Sequence, residues 1–225
     1  MFFPKLSTIA TSDVVTLSDS ASIREAVQLM KQHNIRNVVV RGERGYRLFL
    51  STRLLELRLS GCDLKTPLSQ IELPYVPLIG ADVSVVDAIK AIDNQSQHLC
   101  IAGTDKNLCG IVSYTDLASS LDPHMLAETQ TLGELIRGVN ATSIEPNISL
   151  DACMSLMADR KITEAVVTTD DKPLGILTQR DMIDLIDSHA DLCQFVAART
   201  STPLKTLGEK ASVAEALEFC RINKV

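Results

Sequence analysis

The sequence has no apolar run of about 18 residues, the length at which a helix can cross a bilayer. Its opening stretch, MFFPKLSTIA, is too short and too weakly basic for a signal peptide. No basic stripe accompanies the net charge of −6, which argues against broad nucleic-acid binding but still allows one small anion at a helix start. Together these absences predict a cytoplasmic protein whose partners include neither nucleic acid nor membrane.

Six cysteines are scattered without a CxxC pair, and four histidines form no HxxxH pattern. With no secretory signal, this usage predicts reduced thiols and no metal site. We expect Cys153 and Cys220 to be buried on apolar helix faces, and Cys100 and Cys109 to lie close together on a hairpin. The sequence also lacks a P-loop, GxSxG and HExxH, so no catalytic constellation is predicted and we expect no enzyme activity in these residues.

What the sequence does contain is an internal repeat. The 225 residues are 45% apolar, enough to build real cores. Four segments share a serine that opens an apolar helical pattern, and the serines are 62, 65 and 63 positions apart. They are SIREA at 22–26, SVVDA at 84–88, SLDAC at 149–153 and SVAEA at 212–216. Serine is a good N-cap, and Glu25, Asp87 and Glu215 complete predicted capping boxes. Four matches at nearly constant spacing indicate duplication.

Each copy has the pattern of a strand, a helix, a hairpin and a second helix. A short extended piece precedes each serine, as in VVTL at 14–17 and TSIEP at 142–146. β-type runs at 37–40, 98–102 and 164–168 each lead into a turn and a second aliphatic run. The predicted apolar helix faces are Ile23, Ala26, Val27 and Met30 in the first copy and Leu150, Cys153, Met154, Leu156 and Met157 in the third. The sequence therefore predicts an α/β (α+β) fold of repeated β-α-β-β-α units.

These units divide the chain into four predicted domains. The first covers residues 7–64, the second 65–122, and the third 123–190 together with a linker helix. Residues 191–225 start a fourth copy, which stops where its hairpin is expected to begin. We therefore expect the sequence to be a fragment of a longer protein.

Two of the predicted strand-to-helix junctions carry the same motif, GIVSYTD at 110–116 and GILTQRD at 175–181. Two interpretations stay open. A hydroxyl residue followed three positions later by an acid is a capping box. Alternatively, the helix start can receive a phosphate, and the two acceptor oxygens of the aspartate suit a ribose diol. A shift of 62 places Ser51 at the hydroxyl position of the first copy, with Leu48 for the glycine and Leu54 for the aspartate, so we expect that copy to be structural.

The periodic set, and GILTQRD above all, resembles the cystathionine-β-synthase (CBS) domain, with four copies arranged as two tandem pairs called Bateman modules. The resemblance covers the chain from about Ser7. It implies repeats that pack in pairs, sheet to sheet, with clefts that hold AMP, ADP, ATP or S-adenosylmethionine as a regulatory ligand, with or without magnesium. It also implies a homodimer and a regulatory role.

The resemblance assigns roles residue by residue. Thr178 becomes the phosphate contact and Asp181 the ribose contact of the third copy, and Ser113 and Asp116 take these roles in the second. The implied adenine contacts and flanking glycines are Thr142, Ser143, Thr163, Ala165 and Gly175 in the third copy and Leu78, His98, Cys100 and Gly110 in the second. Arg180, Lys161 and Arg53 are further phosphate candidates, with a solvated surface charge as the alternative for each.

The resulting hypothesis is a nucleotide sensor that controls an output domain. By analogy, four-repeat modules of this style precede diguanylate cyclase domains. Two alternatives remain at this point, a ligand-free dimerisation or docking scaffold and an enzyme in its own right.

Overall fold

A computed structural model describes residues 3–92, 98–103, 107–120, 130–139, 141–170 and 172–223. The chain forms two compact units, each assembled from separate stretches of sequence. One unit combines Val15–Tyr75 with Ala141–Leu204, and the other combines Met1–Val14, Val76–Asn140 and Lys205–Val225. Among the described helices, none is long and apolar enough to cross a membrane.

The predicted β-α-β-β-α unit is confirmed in three copies. The strands are β1 Thr16–Ser18, β2 Asn37–Gly42, β3 Gly45–Leu50, β4 Leu78–Gly80, β5 His98–Ala102, β6 Leu108–Ser113, β7 Ser143–Ile144, β8 Glu164–Thr169 and β9 Lys172–Thr178. The helices are α1 Leu6–Ile9, α2 Ile23–Gln32, α3 Ser51–Leu59, α4 Val85–Ala91, α5 Tyr114–Ser119, α6 Leu132–Leu135, α7 Leu150–Asp159, α8 Gln179–Asp187 and α9 Val213–Asn223. Each repeat has one three-stranded sheet, whose first strand runs parallel to the second and whose second and third form an antiparallel hairpin.

The first helix of each repeat begins at the serine that the sequence singled out. Ser22 is the N-cap of α2, where its main-chain N–H donates to Glu25 Oε2 at 2.7 Å and its Oγ accepts from Glu25 N at 3.3 Å. Ser212 makes the same reciprocal pair with Glu215 at the start of α9. At α7 the third residue is Ala152, so Ser149 accepts its N–H but receives no carboxylate in return. The capping boxes predicted at Glu25 and Glu215 are therefore confirmed, whereas at α4 the Ser84 hydroxyl, and not its main-chain N–H, makes the bonds to Asp87, so the box predicted there is incomplete.

The unit of Val15–Tyr75 and Ala141–Leu204 holds the first and third repeats around one core. Their helices face each other, with α2 against α8 and α3 against α7 and α8. The predicted apolar faces of α2 and α7 are buried, except that Leu156 is half-buried. A shared core of two repeats that are not neighbours in sequence, built through helices rather than sheets, is a feature that the sequence did not predict.

Each repeat is completed by a short segment from elsewhere in the chain. In the first repeat Ser22 bridges to Pro67, and in the third Ile176 bridges to Ser201. In the other unit Thr11 bridges to Ile111 of the second repeat, where Leu6 is fully buried. Leu132 N also donates to the carbonyl oxygen of Ala211, just before α9. Residues near the predicted domain limits thus pack on a repeat other than the one that follows them in sequence.

The second repeat and α9 lie in the unit of Met1–Val14, Val76–Asn140 and Lys205–Val225. Leu99, Ile101 and Val112 of its sheet form a buried core with Val85 and Leu117. In α9, by contrast, no side chain of the described residues is buried. Of the predicted linker helix, the described residues contain only the single turn of α6, and 121–129 lie outside them.

The cysteines divide by exposure. Cys100 and Cys153 are buried, and burial raises the pKa of each thiol to about 11. Cys220 is exposed, so its predicted burial is wrong, because nothing in the described residues covers that side of α9. Cys100 and Cys109 lie on neighbouring strands as expected, but Cys109 is exposed. No cluster of three or more potential metal ligands occurs within the ranges that the structure describes.

Candidate functional site

The strand-to-helix junction of the third repeat is formed where β9 ends at Thr178 and α8 begins at Gln179. Thr178 pairs with Glu164 at the start of β8, so the junction lies at one end of the sheet. The N–H of Gln179 donates to the carbonyl oxygen of Thr163 at 3.0 Å, which fixes the first turn of α8 to the strand edge. Thr178 itself has extended backbone geometry, as an N-cap residue should.

Asp181 lies one turn into α8 and folds back toward Thr178. Its Oδ2 accepts hydrogen bonds from Thr178 N and Thr178 Oγ1, each at 2.7 Å. Its Oδ1 accepts a long hydrogen bond of 3.4 Å from Ser201 Oγ. The capping interpretation therefore describes one carboxylate oxygen of Asp181 well, and the second oxygen is held only weakly by the protein.

The junction of the second repeat makes the same two hydrogen bonds to its aspartate and one further bond. Asp116 Oδ2 accepts from Ser113 N and Ser113 Oγ at 2.7 Å each, and Asp116 N donates back to Ser113 Oγ at 3.2 Å. Ser113 pairs with His98 at the start of β5, so this junction also lies at the end of its sheet. The two motifs that matched in sequence are thus equivalent in structure.

The glycine of each motif is explained by a crossing segment of the same unit. A Cβ on Gly175 would lie 2.2 Å from Thr200 Cγ2 and 2.7 Å from the carbonyl oxygen of Ser201. On Gly110 it would lie 3.0 Å from Ala10 Cβ. A side-chain-free residue is required at Gly175 because the main chain of Ser201 passes too close for a Cβ, whereas at Gly110 a Cβ would make a tight contact. The role of these glycines beside a ligand stays a prediction.

The other predicted contacts of the third repeat gather around the same sheet end. Ser143 pairs with Val166 in β8, and the carbonyl oxygen of Thr142 accepts from Val166 N at 2.9 Å. Thr163 precedes β8, and its Oγ1 donates to the carboxylate of Glu164. The side chain of Ala165 is buried in the core, so a ligand contact there would involve its main chain. Arg180 and Lys161 are both exposed.

In the second repeat the predicted contacts follow the same arrangement. Leu78 of β4 pairs with Cys100 of β5, and His98 pairs with Ser113. Leu78 is exposed and Cys100 is fully buried, so of these two only Leu78 presents a side chain to solvent. A separate cavity is lined by Gly80, Ala81, Asp82, Val83, Ala102 and Gly103, at the end of this sheet where Gly80 pairs with Ala102, and none of the predicted contacts lines it.

The first repeat corrects the alignment made from its sequence. β3 ends at Leu50, which pairs with Asn37, and α3 begins at Ser51. Leu50 therefore occupies the position of Thr178 and Ser113, and the assignment of Ser51 to that position was displaced by one residue. By the same register Arg47, not Leu48, replaces the glycine, and Arg53, not Leu54, replaces the aspartate. The slip arose because a hydroxyl residue directly follows the true N-cap.

Arg53 gives this junction the opposite charge. Its Nη1 donates to Glu56 Oε2 at 2.6 Å, and its Nε is buried without a hydrogen-bond partner among the described residues. No side-chain hydrogen bond caps α3. The junction of the first repeat thus lacks both groups that the other two use, as expected for a structural copy.

One polar contact next to the site was not predictable from the sequence. Ser51 Oγ donates to Gln179 Oε1 at 2.6 Å, and both side chains are buried. No sequence signal identifies such a pair, because the two residues are 128 positions apart and belong to different repeats.

Comparisons with known proteins agree with the geometry. The model of the CBS domain family matches residues 6–49, 68–123 and 132–188. An uncharacterized 17.7 kDa protein of Acidianus ambivalens is 31% identical over 62% of this chain and 85% of its own length. The CBS domain-containing protein YhcV of Bacillus subtilis is 33% identical over 48% of this chain and 79% of its own.

A solved structure covers almost the whole chain. The crystal structure of protein MJ1225 from Methanocaldococcus jannaschii matches 99% of this chain and 91% of its own with a TM-score of 0.81, at 14% sequence identity. At that identity the likeness concerns the fold alone.

Proposed function

The chain belongs to the CBS-domain family, and we propose that it is a regulatory module that binds an adenosine-containing nucleotide at the junctions of its second and third repeats. The observation that carries the proposal is the pair formed by a hydroxyl residue and an aspartate at Ser113 and Asp116 and again at Thr178 and Asp181. The ligand class is AMP, ADP, ATP or S-adenosylmethionine, and its role is regulatory rather than catalytic.

The first repeat shows why capping alone is an incomplete explanation for these pairs. α3 starts at the same place in the fold with Leu50 as its N-cap and without any side-chain cap. A polar pair is therefore not required to begin the second helix of a repeat. Its presence in two repeats and its replacement in another support a ligand as the second reason for it.

The geometry of Asp181 suits a sugar. Oδ2 is committed to Thr178, while Oδ1 has only the 3.4 Å contact with Ser201. A carboxylate oxygen can accept more than one hydrogen bond, so a ribose diol can add its donors at Asp181 without disrupting the cap. The first N–H groups of α8 and the positive end of its dipole favour a phosphate nearby. Thr142, Ser143 and Thr163 lie at the same sheet end, where the base would be placed.

Regulation requires only that the ligand prefer one arrangement of the repeats. A differential affinity of about 1–3 kcal/mol is typical of allosteric coupling. In this proposal the regulated activity belongs to a separate output domain, and the ligand-dependent arrangement of the repeats alters that activity.

The direct test is calorimetric titration of the full chain with AMP, ADP, ATP and S-adenosylmethionine, each with and without magnesium. We expect saturable heat with at least one of them, and we expect it to vanish in the Asp116→Ala/Asp181→Ala double variant. Asp151→Ala, which removes an exposed acid in the first turn of α7 that belongs to no candidate site, is the matched control and should bind as wild type. No heat from any ligand, together with an unchanged melting temperature, would reject the proposal.

One observation favours the alternative of a dimerisation scaffold. In the unit that contains α9, large apolar side chains are exposed on α9 and near α6, namely Leu135, Ile136, Val139 and Ile222. Exposed apolar surface of this kind can pair with a second copy of the chain. Sedimentation velocity with and without AMP separates the two functions, because a scaffold dimerises whether or not the nucleotide is present.

A further inference from the structure

The two buried polar side chains of the described residues form a hydrogen bond with each other. Ser51 is 2% exposed and Gln179 is 4% exposed, and Ser51 Oγ donates to Gln179 Oε1 at 2.6 Å. Ser51 belongs to the first repeat and Gln179 to the third, within one compact unit. The bond is therefore a polar link between two repeats in an otherwise apolar core.

The link joins equivalent positions. Ser51 is the first residue of α3, and its N–H donates to the carbonyl oxygen of Arg36 at 3.0 Å. Gln179 is the first residue of α8, and its N–H donates to the carbonyl oxygen of Thr163 at 3.0 Å. The hydrogen bond thus connects the strand-to-helix junction of the first repeat directly to that of the third.

Stability is a poor explanation for this pair. Both helices continue with buried apolar residues, Leu54 and Leu55 in α3 and Met182 and Ile183 in α8. Apolar side chains of similar volume would fill the same space without leaving Gln179 Nε2 buried and unpaired among the described residues. A buried polar pair does impose one arrangement, because any other leaves more of its atoms unsatisfied.

The position of Gln179 indicates what that arrangement serves. It lies between Thr178 and Asp181, in the first turn of α8 that carries both groups of the candidate site. A displacement of Gln179 moves the Thr178 hydroxyl and the Asp181 carboxylate with it, since all three share one rigid turn.

We infer that Gln179 is a positioning residue, which through its hydrogen bond to Ser51 sets the geometry of Thr178 and Asp181 and couples nucleotide binding in the third repeat to α3 of the first. The inference rests on the proposed function. Coupling is reciprocal, so a nucleotide bound at Thr178 and Asp181 stabilises α3, and loss of the link weakens nucleotide binding.

The test separates positioning from packing by a pair of variants. Ser51→Ala removes the donor and leaves Gln179 with an unpaired buried amide, so it lowers both melting temperature and affinity. Ser51→Ala/Gln179→Met replaces both partners with apolar groups, so the melting temperature recovers toward wild type while the affinity does not. All proteins carry Asp116→Ala, so that only the third repeat contributes to the measured binding of AMP.

We expect AMP to bind roughly fivefold to tenfold more weakly to both variants than to their parent. The control is Ile23→Val, a buried position of α2 in the same core, which lowers the melting temperature and leaves the affinity unchanged. Recovery of affinity together with melting temperature in the double variant, or unchanged affinity in Ser51→Ala, would overturn the inference while AMP binding itself stands. A parent protein that binds no AMP would overturn the proposed function and this inference with it.

Hydrogen exchange provides a readout that packing alone would not move. In the parent protein, AMP should slow amide exchange in both α8 and α3. In Ser51→Ala/Gln179→Met, AMP at saturating concentration should slow exchange in α8 but no longer in α3. Equal protection of α3 in the two proteins would contradict the coupling.

Discussion

In the first repeat the strand-to-helix junction carries Leu50 and Arg53, whereas in the third it carries Thr178 and Asp181. The backbones correspond residue for residue, since Leu50 pairs with Asn37 as Thr178 pairs with Glu164. A cation at Arg53 opposes the positive end of α3, and Glu56 offsets it at 2.6 Å. The fold therefore accepts opposite charges at one position, so the fold alone does not require an aspartate there.

The comparison extends to the position three residues before each N-cap, where the first repeat has Arg47 and the third has Gly175. We expect Gly175→Val to destabilise the chain by about 2–3 kcal/mol, because the new side chain must enter space held by Thr200 and Ser201. Urea denaturation measures the change. Gly208→Val is the control, since no atom lies within 4 Å of a Cβ there, and it should change stability by less than about 0.5 kcal/mol. Equal stability of the two variants would mean that Thr200 and Ser201 are not packed against Gly175.

The aspartate itself separates binding from capping. We expect Asp181→Ala to weaken nucleotide binding at the third repeat about tenfold or more, while the lost cap costs about 1 kcal/mol of stability. Asp151→Ala, at an exposed acid in the first turn of α7, provides the matched comparison and should leave binding unchanged. Calorimetry and urea denaturation on the same preparations give both quantities. If the variant loses stability but keeps its affinity for the nucleotide, Asp181 only caps α8 and does not bind the ligand.

The reverse change places the hydroxyl residue and the aspartate of the third repeat at the equivalent positions of the first. We expect Leu50→Thr/Arg53→Asp to gain about 0.5–1 kcal/mol of stability, because it supplies an N-cap pair and replaces a cation in the first turn of α3. Each single variant should gain less than the pair, since the cap needs both groups. If urea denaturation shows a lower free energy of unfolding instead, the packing of the half-buried Leu50 side chain stabilises the chain more than the new N-cap does.

A smaller difference distinguishes α2 from α7, which begin alike but have Glu25 and Ala152 at the third position. The backbone and side-chain hydrogen bonds from Ser22 lower the pKa of Glu25 from 4.5. A lowered pKa in the folded state means that this stabilisation is present above about pH 4.5 and is lost as the pH falls through the folded value. Glu25→Gln should therefore flatten the acid side of the stability profile slightly. Identical acid slopes in denaturation experiments would show that Glu25 contributes no such dependence.

The repeat, the helix starts and the hairpins were predictable because they rest on local signals that recur, four times for the serine that starts a helix and three times for the hairpin. Ser22 and Ser149 mark helix starts through their own side chains, and the faces of α2 and α7 follow from apolar periodicity. The choice of partners was not predictable, since an apolar face does not specify which repeat covers it. Cys220 shows the same limit, because its pattern in α9 is apolar but its burial depends on residues elsewhere.

The candidate site was predicted in part. Ser113, Asp116, Thr178 and Asp181 occupy the junctions where the motif placed them, although the binding roles remain proposals. The first copy was misaligned by one residue because Ser51 offers a hydroxyl directly after the true N-cap, Leu50. Only strand register distinguishes these positions. The contact between Ser51 and Gln179 depends on tertiary packing, which no local pattern encodes.

The most direct measurement is a crystal structure of the chain grown with AMP. We expect the ribose hydroxyls within hydrogen-bonding distance, about 2.6–3.2 Å, of Asp181, and a phosphate oxygen at the start of α8 beside Thr178. An AMP molecule bound elsewhere, or a saturated crystal in which Asp181 contacts only Thr178 and Ser201, would contradict the claim that this junction is a nucleotide site.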